Sequence, residues 1–315
     1  MKKRYEVIEE QIERLKQKGL KFKDENKARK IILRENHFYI TEGYEDVFVD
    51  LKESTKRFEV YEEDTYFEEL YAIYKFDRDL KGLIFDYINM VENNVKSYVS
   101  YAFSDAYGNK DYIKRENFRP ESRYDKEFEQ LESQINSNLD RNFLNPKSDV
   151  KTYLDKNNFL PPWVLVKVFT FGNIVNFYFL MKIEEKQEVA QAFNISPYSL
   201  EDYLRMLNTV RNICAHGDIL FNIRLNYRIK LRDCDYHKQL GIKKINNIYE
   251  CGMNDLFAIM IILKRLLPTE EFDEMFIKIE RLLSNLKKEL DALSYENLLK
   301  VMGFPQNYDV LNSLN

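Results

Sequence analysis

Apolar positions along the chain recur mainly at three- and four-residue steps, which is the period of an amphipathic helix. The clearest run covers residues 77–104, and Asp77 at its start predicts an N-terminal cap. The same period returns in three further segments, 162–181, 197–216 and 254–291. Residues 105–160 are polar and predict shorter helices and loops. The pattern therefore predicts a mainly α fold.

One segment departs from the helical period. In residues 223–232 apolar side chains alternate with polar ones, and the polar positions include Arg224, Arg228, Lys230 and Arg232. Alternation is typical of a half-buried strand, so we expect a short strand or β-hairpin with its cations on one side. A basic edge can protect against strand pairing or bind RNA phosphates, and the pattern favours neither.

Composition narrows the class of protein. The chain has 315 residues, of which 44% are apolar and 32% charged, as in ordinary globular proteins. Its three cysteines show no CxxC spacing, so neither a disulfide framework nor a zinc site is indicated, and a reducing cytoplasm fits. The N-terminus turns acidic where a signal peptide would be apolar. Polar residues interrupt the most apolar stretch, 163–181, which favours a core helix over a membrane span.

Charge is distributed unevenly although the net charge is only −4. Residues 13–34 hold nine Lys or Arg, whereas residues 42–69 hold eleven Asp or Glu. One interpretation is a solvated helix face beside an acidic loop. The other is an RNA-binding end, for which the candidates are Lys21, Lys23, Lys27 and Lys30.

Candidate chemistry lies at the end of the helix predicted for 197–216, where Ser196 and Pro197 predict its start. At 100° per residue, Arg211 falls in the apolar stripe and His216 lies about 140° further round. A buried guanidinium needs a carboxylate such as Glu92, a partner subunit or an anionic ligand. The two side chains cannot hold one phosphate from one straight helix, but a second copy of the helix would place both types around one cleft.

A second Arg-x4-His match, Arg232 and His237, lies among aspartates in RDCDYH. Those aspartates would repel RNA phosphate, so we interpret this pair as unrelated to catalysis. A single histidine is also often structural, which leaves that alternative open for His216. The sequence contains no P-loop, GxSxG, HExxH or GxGxxG motif, and its three histidines give little support to a metal site. No metal or cofactor is predicted.

Several segments carry a family resemblance. RN-x-x-AHG-x-x-LFN begins at Arg211, and four further segments are KGLKFKDENKARKIILRENHFYITEGY (18–44), FDRDLKGLIFDYINMVENNVKSYVSYAF (76–103), PPWVLVKVFTFGN (161–173) and MGFPQNYDVL (302–311). Together they resemble the abortive-infection (Abi) proteins of the AbiD/AbiF type, whose core is a HEPN domain. The chain departs from that pattern at Gly217 and Ile219, where many relatives have His and Arg, and at Tyr308, where Trp is usual.

The resemblance implies a metal-independent endoribonuclease of phage defence or toxin–antitoxin type. It implies Arg211 and His216 as catalytic residues, with Asn212 as the adjacent polar residue. It also implies a HEPN-type helical bundle over residues 61–315 after an N-terminal extension (1–60). The implied partners are RNA, a second copy of the chain and a small-RNA or protein antitoxin. The alternative function is a non-catalytic RNA-binding or sensor module of a defence system.

Overall fold

The computed structural model describes residues 7–35, 37–50, 52, 54, 59–226, 230–232 and 234–314. Within them the prediction of a mainly α fold is confirmed. The helices are α1 (Ile8–Gln17), α2 (Glu25–Glu35), α3 (His37–Ile40), α4 (Phe67–Tyr107), α5 (Asp125–Phe143), α6 (Asp149–Asn157), α7 (Pro162–Leu165), α8 (Phe171–Leu180), α9 (Ile183–Gln191), α10 (Pro197–His216), α11 (Asp235–Gln239), α12 (Leu256–Leu266), α13 (Thr269–Lys287), α14 (Tyr295–Met302) and α15 (Val310–Ser313). Two short antiparallel strands, β1 (Lys244–Ile245) and β2 (Ile248–Tyr249), follow α11.

The long helix α4 is the centre of the fold. It packs against α3, α7, α8, α9, α10, α12 and α13. The helix begins at Phe67, well before the predicted start, because Phe67, Leu70 and Ile73 extend the same apolar face and are fully buried. The prediction that Asp77 caps this helix is therefore wrong. Asp77 lies inside the helix, on its buried face.

Two of the predicted helices are each divided in two. The 162–181 segment forms α7, a 3-10 turn and α8, because a Thr170–Asn173 capping box starts a new helix. The Thr170 hydroxyl accepts a hydrogen bond from the Asn173 amide at 3.2 Å. The 254–291 segment divides at Pro268, which precedes α13 and has no amide proton to continue α12.

The strand predicted in residues 223–232 is not present in its described part, 223–226 and 230–232. Burial alternates as predicted there, with Ile223, Leu225 and Leu231 buried. The backbone is instead held by isolated hydrogen bonds to the loop before α12, and these do not form a ladder. The Leu225 amide donates to the Asn254 carbonyl at 2.7 Å, and the Leu231 amide donates to the Met253 carbonyl at 2.6 Å. Arg228 lies outside the described residues.

The N-terminal helices share the core of the molecule. Ile12, Leu15 and Ile31 belong to the same buried apolar cluster as the inner face of α4. The division into an extension (1–60) and a helical domain (61–315) stays a prediction. None of the helices in the described ranges is long and apolar enough to cross a membrane.

Candidate functional site

The candidate histidine is the last residue of α10. The helix starts where predicted, because the Ser196 hydroxyl accepts a hydrogen bond from the Ser199 amide at 3.0 Å. It ends after His216 because Gly217 adopts a left-handed conformation, with a φ of 78°. The Asp218 amide then donates back to the Ile213 carbonyl at 3.1 Å. This end is regular, and it leaves His216 exposed.

His216 lines a cleft of about 940 Å³ formed by the end of α10, the segment around α3 and the first half of α4. The aromatic residues that line the cleft are Phe38, Tyr39, Tyr44, Tyr74 and Phe85. The charged residues that line it are Arg78, Lys81, Asp86 and Asp218. The cleft therefore combines a titratable histidine with aromatic surfaces and charges of both signs.

A buried carboxylate anchors the wall of the cleft. Asp77 is fully buried and accepts hydrogen bonds from the amides of Leu220 and Phe221 at 3.1 and 2.7 Å. The Tyr44 hydroxyl donates to its Oδ2 at 2.7 Å. Burial raises the pKa of Tyr44, and the neighbouring Asp77 raises it further, so the phenol keeps its proton and remains a donor. Asp77 thus joins α4, the segment after α3 and the segment after α10.

Lys81 completes this anchor. Its Nζ forms an ion pair with Asp77 Oδ2 at 3.1 Å, one helical turn away on α4. The same Nζ donates to the carbonyl oxygens of Gly217 and Asp218 at 3.2 and 3.1 Å. Since these two residues directly follow His216, Lys81 fixes the end of α10 against α4. The Lys81 ammonium group therefore has three acceptors within the fold.

Arg211 is half-buried and does not line the cleft. Its guanidinium carbon lies 5.3 Å from the centre of the Phe85 ring, and its Nε is buried without a hydrogen-bond partner. Arg211 does not form the alternative ion pair with Glu92. Glu92 pairs instead with Lys96 at 2.7 Å. The described part of the chain therefore supplies no carboxylate partner for Arg211. Of the three predicted kinds of partner, a partner subunit and an anionic ligand remain.

One chain therefore does not bring its candidate catalytic residues into one cleft. His216 lines the cleft, Arg211 packs over Phe85, and Asn212 is exposed without lining it. Cys214 also lines the cleft, but burial raises the pKa of its thiol to about 12. The thiol is consequently protonated at neutral pH and is not an activated nucleophile.

His237 has the surroundings of a structural residue. Its ring is fully buried and stacks on Tyr249, with 4.4 Å between the ring centres. Nδ1 accepts a hydrogen bond from the Cys234 amide at 3.3 Å, and Nε2 donates to the Gly252 carbonyl at 2.7 Å. Its partner in the sequence match, Arg232, forms an ion pair with Asp202 at 2.5 Å. Both side chains therefore have partners within the fold.

Two of the four predicted RNA-binding cations on the N-terminal side have acidic partners. Lys21 pairs with Asp64 at 2.7 Å, and Lys23 pairs with Asp291 at 2.9 Å. Lys27 and Lys30 lie exposed on α2 and form no salt bridge with any residue of the described ranges. The basic and acidic segments therefore neutralise each other in part, which supports the solvated-face interpretation.

The predicted RNA-binding cations after α10 also differ in whether they have partners. The Arg224 guanidinium donates to the carbonyl oxygens of Ile223 and Val301 at 2.8 and 3.0 Å. Lys230 is exposed, and no described residue forms a salt bridge with it. Of the described candidates in this segment, Lys230 is therefore the one whose charged group is most accessible to a phosphate.

The residues that anchor and line the cleft escaped sequence reasoning. Asp77 and Lys81 were assigned to an amphipathic helix, with Asp77 as its cap. A signal for Asp77 was present, because it occupies a position on the apolar face of that helix, where a carboxylate requires buried partners. Nothing in the local pattern linked Phe38 and Tyr39 to His216, since the fold brings these residues together.

Comparison with known proteins identifies one family. A family model described as "Abi-like protein" matches residues 31–222, which is more than half of the chain. No curated protein and no solved structure matches it. The matched range runs from within α2 to just beyond α10, so it contains every element that forms the cleft.

Replacing Asp77 tests the anchor. We expect Asp77→Ala to lower the free energy of unfolding by roughly 3–5 kcal/mol, because it leaves a largely buried ammonium and two buried amides without their acceptor. Chemical denaturation measures the change. Asp79→Ala is the control, since Asp79 is exposed and pairs with Arg78 at the surface, and should cost less than about 0.5 kcal/mol. Equal losses in the two variants would contradict the anchoring role.

His237→Ala should destabilise the protein by about 2–3 kcal/mol, because it removes a stacked ring and leaves a buried carbonyl without its donor. Thermal and chemical denaturation should separate this variant from Lys238→Ala, which alters the exposed neighbour. A His237→Ala protein as stable as Lys238→Ala would show that these contacts contribute little.

Proposed function

The chain belongs to the Abi-like protein family, and from this membership we propose that it is a HEPN-type endoribonuclease that acts without a metal. The family connects the chain to phage defence by abortive infection. In the proposed reaction, an RNA 2′-hydroxyl attacks the adjacent phosphorus and the 5′-oxygen leaves. The products are a 2′,3′-cyclic phosphate and a 5′-hydroxyl.

The observation that carries this proposal is the position of His216. Its imidazole is exposed in the wall of a large cleft, and Lys81 fixes the segment that follows it. Histidine is the side chain best suited to exchange protons near neutral pH. His216 would remove the proton of the 2′-hydroxyl or deliver one to the leaving oxygen.

The environment of Arg211 supports a role in phosphate binding. Its buried Nε has a proton to donate and finds no acceptor in the described part of the chain, so a phosphate oxygen would supply the missing hydrogen-bond acceptor. The guanidinium would also stabilise the negative charge that develops on the phosphate during attack. Asn212, the adjacent exposed polar residue, would contact the same RNA.

The separation of Arg211 from the cleft favours a composite site in a homodimer. Pairing two copies of α10 around a twofold axis would bring each residue type from both chains to one place. The proposal therefore includes self-association. An antitoxin, either a small RNA or a protein, would hold the dimer inactive by covering this surface.

The RNA strand needs further cations outside the cleft. Lys27, Lys30 and Lys230 are exposed and accessible to phosphates, and they form our first choice. Arg224, Arg232, Lys21 and Lys23 have partners within the fold, so they would contribute mainly through their long-range field. Arg228 stays a candidate on sequence alone.

A non-catalytic RNA-binding or sensor module is the second candidate. The observation that favours it is the absence of Arg211 from the lining of the cleft, since a single chain then offers RNA a binding surface without the charge-stabilising group. Such a module would bind RNA equally well with and without His216. RNA cleavage by the wild-type protein that is lost in the His216 variant would exclude a non-catalytic module.

We expect His216→Ala to reduce the rate of RNA cleavage by about 10²–10⁴-fold, the usual contribution of a general acid or base. The unfolding midpoint should not change, because the imidazole is exposed and hydrogen-bonds to no residue of the described ranges. Gel assays on a defined RNA measure cleavage. Asn285→Ala, at an exposed position in the last turn of α13, should cut like the parent. If His216→Ala also cuts like the parent, His216 is neither the acid nor the base.

Mixing two inactive proteins tests the composite site. Arg211→Ala and His216→Ala protomers should regain partial activity when combined, because a mixed dimer holds one site with both residues intact. Each variant alone, at the same total concentration, provides the baseline. A mixture that stays inactive would assign both residues to one chain. A strictly monomeric protein that still cuts RNA would rule out the shared cleft.

A further inference from the structure

Two carboxylates line the same cleft as the candidate histidine. Asp86 on α4 and Asp218 after α10 are both exposed, and neither forms a salt bridge with the part of the chain that the structure describes. An uncompensated carboxylate repels a phosphate at close range. If RNA enters this cleft, these two groups must face its hydrogen-bond donors, which are on the bases and the 2′-hydroxyls.

The surface of α4 leaves room beside one of these carboxylates. Gly82 lies in the interior of α4, lines the cleft, and has nothing within 4 Å of the place where a Cβ would lie. Glycine disfavours a helix relative to alanine, so its use here has a local cost in stability. Side chains on a helix lean toward its N-terminus, so Asp86 overlies the turn that contains Gly82. A flat ligand could rest on this open turn with its edge at Asp86.

Two exposed aromatic rings line the same cleft. Tyr39 and Phe38 are 57% and 54% exposed, and their rings meet edge to face with 6.1 Å between centres. Neighbouring exposed apolar side chains that form one patch often mark a binding site. Proteins that bind single-stranded RNA stack unpaired bases on such rings.

We propose that the cleft binds an unpaired guanine of single-stranded RNA beside the phosphate that is cut. The base stacks on Tyr39, and the Asp86 carboxylate accepts hydrogen bonds from its N1–H and N2 amino group. This inference rests on the proposed ribonuclease function and adds a preference for one base. Base-paired guanine is excluded because its partner occupies the same edge.

Guanine is favoured over the other bases by its donors. It presents two adjacent N–H groups on its Watson–Crick edge, which match both oxygens of a carboxylate. Adenine and cytosine offer one amino group beside a ring nitrogen that accepts, and this acceptor would face the second carboxylate oxygen. Uracil offers one N–H between two carbonyl oxygens. A matched pair of hydrogen bonds to a base typically gives about tenfold discrimination or more.

Binding of uncleavable oligonucleotides tests the preference on the wild-type protein. Fluorescence anisotropy compares labelled pentanucleotides that differ only in the central base, with 2′-fluororibose throughout so that no 2′-hydroxyl can attack. We expect guanine to bind about tenfold more tightly than adenine, cytosine or uracil. Inosine, which lacks the N2 amino group, should fall between guanine and adenine. Equal affinity for all five bases would overturn the proposal.

Asp86→Asn should remove the preference for guanine, since an amide cannot accept both hydrogen bonds. Asp105→Asn is the matched control, because it removes the same charge from an exposed position on the same helix, outside the cleft. A general electrostatic effect would raise the affinity of both variants for every oligonucleotide. Retention of the full guanine preference in Asp86→Asn would assign recognition to another group.

Removing one ring tests the stacking contact. Tyr39→Ala should weaken binding of the guanine oligonucleotide about tenfold, as removal of base–aromatic stacking does. Tyr101→Ala removes an equally exposed tyrosine that does not line this cleft, and should leave binding unchanged. Equal effects of the two variants would contradict a stacking role for Tyr39.

These binding measurements do not depend on cleavage, so the two proposals can fail separately. If the wild-type protein cuts RNA through His216 but binds all bases equally, the guanine subsite is wrong and the proposed function stands. If it prefers guanine but cuts no RNA, the subsite stands and the endoribonuclease activity is wrong.

Discussion

The arrangement of the cleft depends on one buried carboxylate. Asp77 receives two backbone amides from the segment after α10, a hydroxyl from the segment after α3 and an ammonium from its own helix. A buried carboxylate is tolerated only with such a complete set of donors. Because the donors come from three parts of the chain, satisfying Asp77 also fixes those parts relative to one another. The position of His216 follows from this, through the contacts of Lys81 with Gly217 and Asp218.

Local periodicity predicted the helices well and their ends less well. The bounds of α10 were predicted because both of its ends carry strong signals, Ser196 with Pro197 at the start and Gly217 at the end. The start of α4 was misplaced because a plausible capping residue, Asp77, stands inside a longer apolar face. The alternation of apolar and polar residues after α10 correctly predicted which side chains are buried, but it wrongly predicted strand pairing. An extended segment can bury every second side chain without a neighbouring strand.

The candidate site was predictable only as far as residue identity and helical phase allow. Phase counting placed Arg211 and His216 on different sides of α10, and the structure agrees, with Arg211 over Phe85 and His216 in the cleft. The cleft itself was not predictable, because its walls come from segments far apart in sequence. Tyr39, Gly82 and His216 carry no pattern that links them. They meet through the packing of α3 and α10 against α4.

In the proposed function, the unmet donor on Arg211 would connect dimer assembly with RNA binding. Within the described residues of one chain that buried Nε has no acceptor, and such an unmet donor costs about 1–3 kcal/mol. In the proposed dimer, an RNA phosphate would supply the acceptor where the two chains meet. A ligand that binds only the dimer also stabilises the dimer, because the coupling between ligand binding and dimerisation is reciprocal. RNA would then promote assembly of the enzyme that cuts it. A chain at low concentration would stay inactive without an inhibitor, and an antitoxin would need to act only once enough protein has accumulated to pair.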